Sequence, residues 1–240
     1  MTSRLPDCIL ANIFSYISVA ERICTLSTVC KRWYDVVHSS TVWRKVEFDF
    51  QRRLTSDILD KYIYPGSREI MLSECCFQEW EKLCSVLRRC KKIEVLIVPW
   101  IGYSRRIVVP DFTQTLNICH LRFLELSHCR VTDLLFNQLP SKCPLLKFFL
   151  LQDCHEITKE AYINSQFKTH GCLALINVAG NREALSVNCV IELLKYSHRK
   201  IMVDIRGNHF TEEDFDRIVE EHPDAMERIK DVEEYRFMLH

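Results

Sequence analysis

The side chains most able to do chemistry in this 240-residue chain are its 13 cysteines, nine histidines and 32 aspartates and glutamates. Cys75-Cys76, Cys119-His120 and Cys154-His155 raise a zinc reading, because thiolate and imidazole are the usual ligands of that metal. A structural zinc site takes four such ligands, commonly from CxxC or similar short-spaced pairs, and no such set occurs. A nucleophilic thiol must have a depressed pKa and be accessible. The prominent cysteines instead recur in phase with apolar runs, where burial raises the pKa and dulls the thiol. Five glycines supply no Gly-rich loop to cradle a phosphate. The carboxylates of Glu212, Glu213, Asp214, Asp216, Glu220 and Glu221 cluster without apolar shielding, as on a solvated helix face, so nothing there would tune a carboxyl for acid or base work. The expectation is a chain with no catalytic residue, no metal and no cofactor.

Bulk composition narrows the partners. Lys plus Arg equals Asp plus Glu at 32 each, which removes the global field that draws a protein to nucleic acid or an acidic membrane. The basic clusters Arg52-Arg53, Arg88-Arg89-Lys91-Lys92 and Arg105-Arg106 read as helix or loop surface. No segment approaches the roughly 20 uninterrupted apolar residues that span a bilayer, and the first ten residues lack the pattern of a secretory leader. No nucleic-acid or membrane partner is expected, and the cysteines read as free thiols in a cytoplasmic or nuclear setting.

The elements that would position any partner come from periodicity. The template L-x-x-L-x-L-x-x-N/C fits Leu121, Leu124, Leu126 and Cys129, and fits again at Leu146, Phe149, Leu151 and Cys154. It recurs at Leu173, Ile176, Val178 and Asn181, and more weakly at Val203, Ile205 and Asn208. The Cys and Asn ends step by 25, 27 and 27 residues, inside the leucine-rich-repeat range of about 20 to 29. Weaker units precede them at Ile93, Leu96, Val98 and Ile101, at Ile70, Leu72 and Cys75, and at Trp43, Val46, Phe48 and Gln51, which makes seven. A second column of Cys90, Cys119, Cys143, Cys172 and Ser197 stands just before the predicted strands. Helical periodicity fills the intervals, as over 77–87 and 189–196. Each unit is read as strand plus helix, stacked so that successive leucines share one core. Because side chains alternate along a strand, the x positions face away from that core. That register places Met71, Val95, Ile97, Phe123, Phe148, Leu150, Leu175 and Met202 in an apolar band on the concave face, among Glu69, Glu125, Gln152, Asn177, Asp204 and Arg206. An exposed apolar band of this kind marks a partner-binding surface, and these eight residues are the expected substrate contacts. From Thr211 a Thr-x-x-Asp cap opens a charged helix that Pro223 should break in two.

Residues 5–43 read as short helices. Ile9, Leu10, Ile13, Phe14 and Ile17 make one apolar stripe, and Ile23, Leu26, Val29, Cys30, Trp33 and Val37 a second. Within them, Leu5-Pro6, Ile9, Ile13-Phe14, Ile17, Leu26, Val29-Cys30-Lys31-Arg32-Trp33 and Val42-Trp43 resemble the F-box motif across its whole length. Ile17 stands where Leu is usual, and Ala20-Glu21 replaces a common acidic-leucine pair. With the repeats behind it, the chain resembles the F-box and leucine-rich-repeat family of substrate receptors of cullin-type ubiquitin ligases.

That resemblance implies an F-box three-helix module over 1–44, a short leucine-rich-repeat solenoid of α/β units over 45–210, and a C-terminal helical cap over 211–240. It implies that Leu5, Pro6, Ile9, Leu10, Ile13, Phe14, Leu26, Val29 and Trp33 pack within the box or against a Skp adaptor, which would link the chain to a cullin scaffold. The repeats would then hold a protein substrate, and the chain itself would make or break no bond. An alternative is an interaction scaffold that uses the adaptor without leading to degradation.

Overall fold

A computed structural model describes residues 5–48, 54–73, 80–98, 109, 111–182, 184–196 and 201–229. Ladder ends expected at Gln51, Cys75 and Ile101, the column member Ser197, and the Arg52-Arg53 and Arg105-Arg106 clusters lie outside the described residues, as do Cys76 and residues 77–79.

Seven three-residue strands pair in parallel and in chain order: β1 (Lys45–Glu47), β2 (Glu69–Met71), β3 (Val95–Ile97), β4 (Phe123–Glu125), β5 (Phe148–Leu150), β6 (Leu175–Asn177) and β7 (Met202–Asp204). Their middle residues, Val46, Ile70, Leu96, Leu124, Phe149, Ile176 and Val203, are in register with one another and are all 0% exposed. A parallel neighbour requires a crossover, and helices provide most of them. These are α5 (Ser56–Tyr62), α6 (Trp80–Leu87), α7 (Asp133–Lys142), α8 (Lys159–Asn164) and α9 (Val187–Leu194). Their buried faces join the middle column in one apolar cluster that runs from Leu10 to Ala225. Between β3 and β4 the described residues form turns.

Local chemistry sets where five of the helices start. Thr55, Thr132, Thr158, Ser186 and Thr211 each take extended backbone and accept a backbone N–H three residues on, which satisfies a donor the helix cannot. At Thr211 the bond is reciprocal: Asp214 accepts from the Thr211 N–H, and these bonds hold the Asp214 carboxyl below its usual pKa. That cap opens α10 (Glu212–Glu221), and α11 (Ala225–Arg228) follows Pro223. The nearly buried Arg228 donates from Nε to Ile201 O at 3.0 Å and from its guanidinium to Leu194 O, fixing α11 against the last unit.

The Cys and Asn column acts between units. Fully buried Asn181 accepts the Cys154 N–H on Oδ1 at 2.6 Å and donates from Nδ2 to Leu151 O at 3.0 Å, one unit earlier. Cys154 Sγ reaches back to Leu126 O at 3.2 Å in the same way. The residue before each ladder position takes left-handed backbone: His128 (φ 61°), Asp153 (φ 55°), Gly180 (φ 72°) and Gly207 (φ 70°). The second cysteine column is less uniform than its spacing suggests. Cys90 and Cys143 are buried, but Cys119 is exposed and Cys172 half-buried.

The helices before β1 depart from two regular stripes. After α1 (Asp7–Ser15), a short α2 (Val19–Glu21) passes into a π-turn over Arg22–Leu26, then α3 (Ser27–Val29) and α4 (Lys31–Val37). Cys30, with φ −163° and ψ 166°, breaks the last two apart, so Val29 and Cys30 point to solvent instead of continuing an inward stripe. The π-turn brings Arg22 inward, where it is 3% exposed. Its guanidinium donates to Ser15 O (2.7 Å), Ile17 O (2.6 Å), Val42 O (3.1 Å) and Lys45 O (3.2 Å), and its carbon lies 5.3 Å from the Trp43 ring centre. Desolvation lowers its pKa to about 10, so it stays charged at neutral pH. One side chain thus ties the first helices to the first strand.

Two stability outcomes follow. Arg22→Met leaves four carbonyls without their donor and should cost about 3 kcal/mol, since a bond to a charged donor is worth roughly 1.5–3 kcal/mol. Gly180→Ala would set a methyl 2.1 Å from Asp153 Oδ1 on left-handed backbone and should cost more than ~1 kcal/mol, whereas Gly66→Ala meets nothing within 4 Å. Urea titrations of the three variants against the parent chain check both.

Candidate protein-interaction surfaces

Two surfaces gather the residues singled out above. The first lies on α1 and the 27–34 segment. A helix turns 100° per residue, so Ile9 and Ile13 share one face of α1 and Leu10 and Phe14 the other, while Leu5 stands just before the helix. The outer face is solvent-exposed: Leu5 37%, Ile9 45% and Ile13 45%, with Val29 at 56% from the end of α3, and Pro6 exposed at the helix entry. Arg32 binds Asp7 at 2.8 Å and also Leu5 O, which holds the start of α1 against α4 and brings the Val29 turn alongside.

Leu10 and Phe14, expected among the adaptor contacts, are each 2% exposed and belong to the internal core. The correction has a simple cause: α1 is apolar on two sides, and the inner one packs on the module itself. Leu26 and Trp33 are half-buried against the same core, with Trp33 edge-on to Phe14 at 4.9 Å. Tyr16 (84%) and Tyr34 (49%) are exposed aromatics that the spacing did not single out. Their signal was available, since an aromatic in these short helices outside both inward stripes must face solvent.

The second surface is the sheet face opposite the helices. The first and third residues of each strand point there, in two columns on either side of the buried middle one. Val95, Phe123, Phe148, Leu175 and Met202 form the first column, continued at its start by Lys45 and Glu69. Met71, Ile97 and Leu150 stand in the third, among Glu47, Glu125, Asn177 and Asp204. All eight apolar members form one cluster, separate from the main core. Asp204 has a fully buried side chain and is paired with Arg206 Nη2 at 2.8 Å.

The band is not the exposed patch the alternation suggested. Met71, Val95, Ile97, Phe123, Leu150 and Leu175 are all buried, at 1–8% exposure, and only Phe148 and Met202 are half-buried. Alternation decides which face a side chain points to, and not whether that face meets water.

A cleft of about 1130 Å³ opens where the first helices meet the sheet, lined by Tyr16, Ile23, Arg44, Phe48, Ile58 and Tyr62 among others. Burial pushes the Cys84 and Cys90 thiols up to about 11 and those of Cys129 and Cys143 to about 12. Among the described residues no three His, Cys, Asp or Glu side chains gather to hold a metal, and no helix is long and apolar enough to cross a membrane.

A helical module with an outward apolar stripe is fused through one core to a parallel strand-and-helix array. Residues 2–49 match the F-box-like family. Human F-box/LRR-repeat protein 12 is 28% identical over 167 residues, covering 61% of this chain and 47% of its own length, and the cow and mouse proteins of the same name match equally. Mouse F-box/LRR-repeat protein 21 is 38% identical over 52 residues, 22% of this chain and 12% of its own. The chain spans about half the length of the first of these relatives. The chain is thus similar to F-box and leucine-rich-repeat proteins, with the F-box-like match confined to residues 2–49.

Thiol accessibility checks the geometry. With a disulfide-exchange reagent at pH 8, exposed Cys8, Cys24, Cys30 and Cys119 should react at once, and Cys129, Cys143 and Cys154 only on unfolding. Prompt labelling of the buried three in native protein would contradict the packing described.

Proposed function

We propose that the chain is a non-catalytic substrate receptor of an SCF-type cullin ubiquitin ligase. In this reading residues 1–44 are the F-box, which docks on a Skp adaptor and through it on a cullin. Residues 45–210 are a leucine-rich-repeat solenoid that holds a protein substrate, 211–240 a helical cap, and the working compartment is the cytoplasm, the nucleus or both.

The observation that carries the reading is the stripe of Leu5, Ile9, Ile13 and Val29. It leaves four aliphatic side chains in water on a module whose inner face is already packed. Burying one such side chain is worth about 1.5–3 kcal/mol, so the stripe supplies several hot-spot anchors for a helical partner surface. Tyr16 and Tyr34, exposed on the same module, extend the candidate contact set. The balance of 32 basic and 32 acidic residues fits a contact driven by apolar burial more than by charge. On the substrate side, the apolar band of the sheet face offers a partner the half-buried Phe148 and Met202, with Glu47, Glu69 and Glu125 in the same two columns.

The test uses the purified chain and a Skp adaptor. Ile9→Asp with Val29→Asp should weaken capture at least 100-fold, as two lost anchors of about 2 kcal/mol or more each would do, while the melting temperature stays within a few degrees of the parent because both sites are exposed. Unchanged capture by a folded double variant, or no capture by the parent chain, would sink the proposal.

A further inference from the structure

The equal totals of basic and acidic residues conceal a separation of charge along the strand direction. Backbone hydrogen bonds run from Arg68 N to Arg44 O at 2.8 Å, Glu94 N to Arg68 O at 2.7 Å, Arg122 N to Glu94 O at 2.8 Å and Lys147 N to Arg122 O at 2.8 Å. These residues stand one place before β1 to β5, so they form a row along the rim where the strands begin. Arg44, Arg122 and Lys147 are exposed in that row, and the turns that feed the strands add exposed Lys91, Lys92 and Lys142. The opposite rim, where the strands end, is mainly acidic, with Glu47, Glu125, Asp133, Asp153 and Glu156, and its Arg130 is paired with Glu156.

The six cations are uncommitted. Among the described residues none of their side chains makes an ion pair or a hydrogen bond. Carboxylates on this side of the molecule are taken by other cations: Glu94 by Arg68 at 2.8 Å, Asp60 by Arg89 at 3.2 Å and Glu192 by Lys195 at 2.8 Å. Like charges held side by side repel one another, a cost that an anionic partner removes.

We propose that this rim binds an extended, acidic segment of a protein partner. From Arg44 to Lys147 is four strand spacings, about 19 Å at roughly 4.8 Å each, which about six extended residues span at roughly 3.3 Å each. Asp or Glu at alternate positions of such a segment puts carboxylates on one side about 6.6 Å apart, within reach of long, flexible Arg and Lys side chains. Arg122 and Arg44 add the bidentate geometry that suits a carboxylate. A single-stranded nucleic acid fits less well, because it is held by bases stacked on exposed aromatics. The exposed aromatics among the described residues, Tyr16 and Tyr34, belong to the helices before β1. A narrow row of cations also suits a chain better than a plane of lipid.

The inference rests on the receptor reading only in taking the segment to be a substrate's. Binding at the rim is measured without an adaptor, so either reading can fail alone.

The experiment follows the fluorescence anisotropy of a fluorescein-labelled peptide of alternating Glu and Gly as the full chain is added. The expected result is saturable binding at about 50 mM salt that weakens at least tenfold by about 300 mM, as the screening length falls below ~10 Å. Arg122→Glu with Lys147→Glu should weaken binding about tenfold or more with the melting transition retained, and Lys91→Glu with Lys92→Glu repeats the test one unit earlier. Lys31→Glu with Lys159→Glu makes the same change of charge on exposed side chains away from the rim and should stay within about twofold of the parent. No binding by the parent, unchanged binding by both rim variants, or an equal loss in the control overturns the proposal. Tighter binding of labelled DNA, or of vesicles of phosphatidylserine and phosphatidylcholine, would assign the rim to another polyanion and overturn it too.

Discussion

The structure depends on one constraint, the alternation of side chains along strands only three residues long. With the middle residue of every strand pressed into the helix-side core, its two neighbours have no choice but the opposite face. Parallel pairing in chain order then repeats this seven times in register. Val46, Ile70, Leu96, Leu124, Phe149, Ile176 and Val203 therefore do two things at once. They form the spine of the core, and they aim two columns of side chains at a single second surface. A one-residue slip in any strand would exchange core and surface residues, which is a strong penalty against alternative registers.

The helical module is not a bead on a string. Its inner residues Leu10 and Phe14 share the apolar cluster of the repeats, and Arg22 joins α1, the Val42 turn and β1 through four carbonyls. A buried guanidinium is costly unless every donor is used, so this geometry tolerates little relative motion of helices and sheet. If, as proposed, one partner sits on the first helices and another on the sheet, that packing fixes the distance between the two. The relation between the surfaces is thus a property of the core and not of a linker.

Much of this was legible in the residues because period and burial are linked. The Leu-x-x-Leu-x-Leu columns located the seven strands, the ends Cys154, Asn181 and Asn208 hydrogen-bond to the unit before, and Thr211 and Pro223 bracket α10 as their backbone chemistry demands. Other features were not legible, for reasons that can be named. Helix α1 is apolar on two sides, and nothing local says that Leu10 and Phe14 turn inward while Ile9 and Ile13 turn out. The π-turn that buries Arg22 has no periodic signature, because it exists to meet carbonyls that come from Ser15 to Lys45. Left-handed backbone at Gly180 and Gly207 could have been guessed from residue type, but the same turn at His128 and Asp153 could not. The burial of the sheet face depends on what lies above it, which strand alternation does not encode.

The central claim is that the exposed face of α1 and the 27–34 turn is the adaptor-binding surface, and that the sheet face is left for something else. Hydrogen exchange of the full chain, measured with and without a Skp adaptor, tests it most directly. The account predicts slowed exchange over residues 5–37 with strands β2 to β7 unchanged. Slowed exchange over the strands, with α1 and the 27–34 turn unaffected, would contradict it.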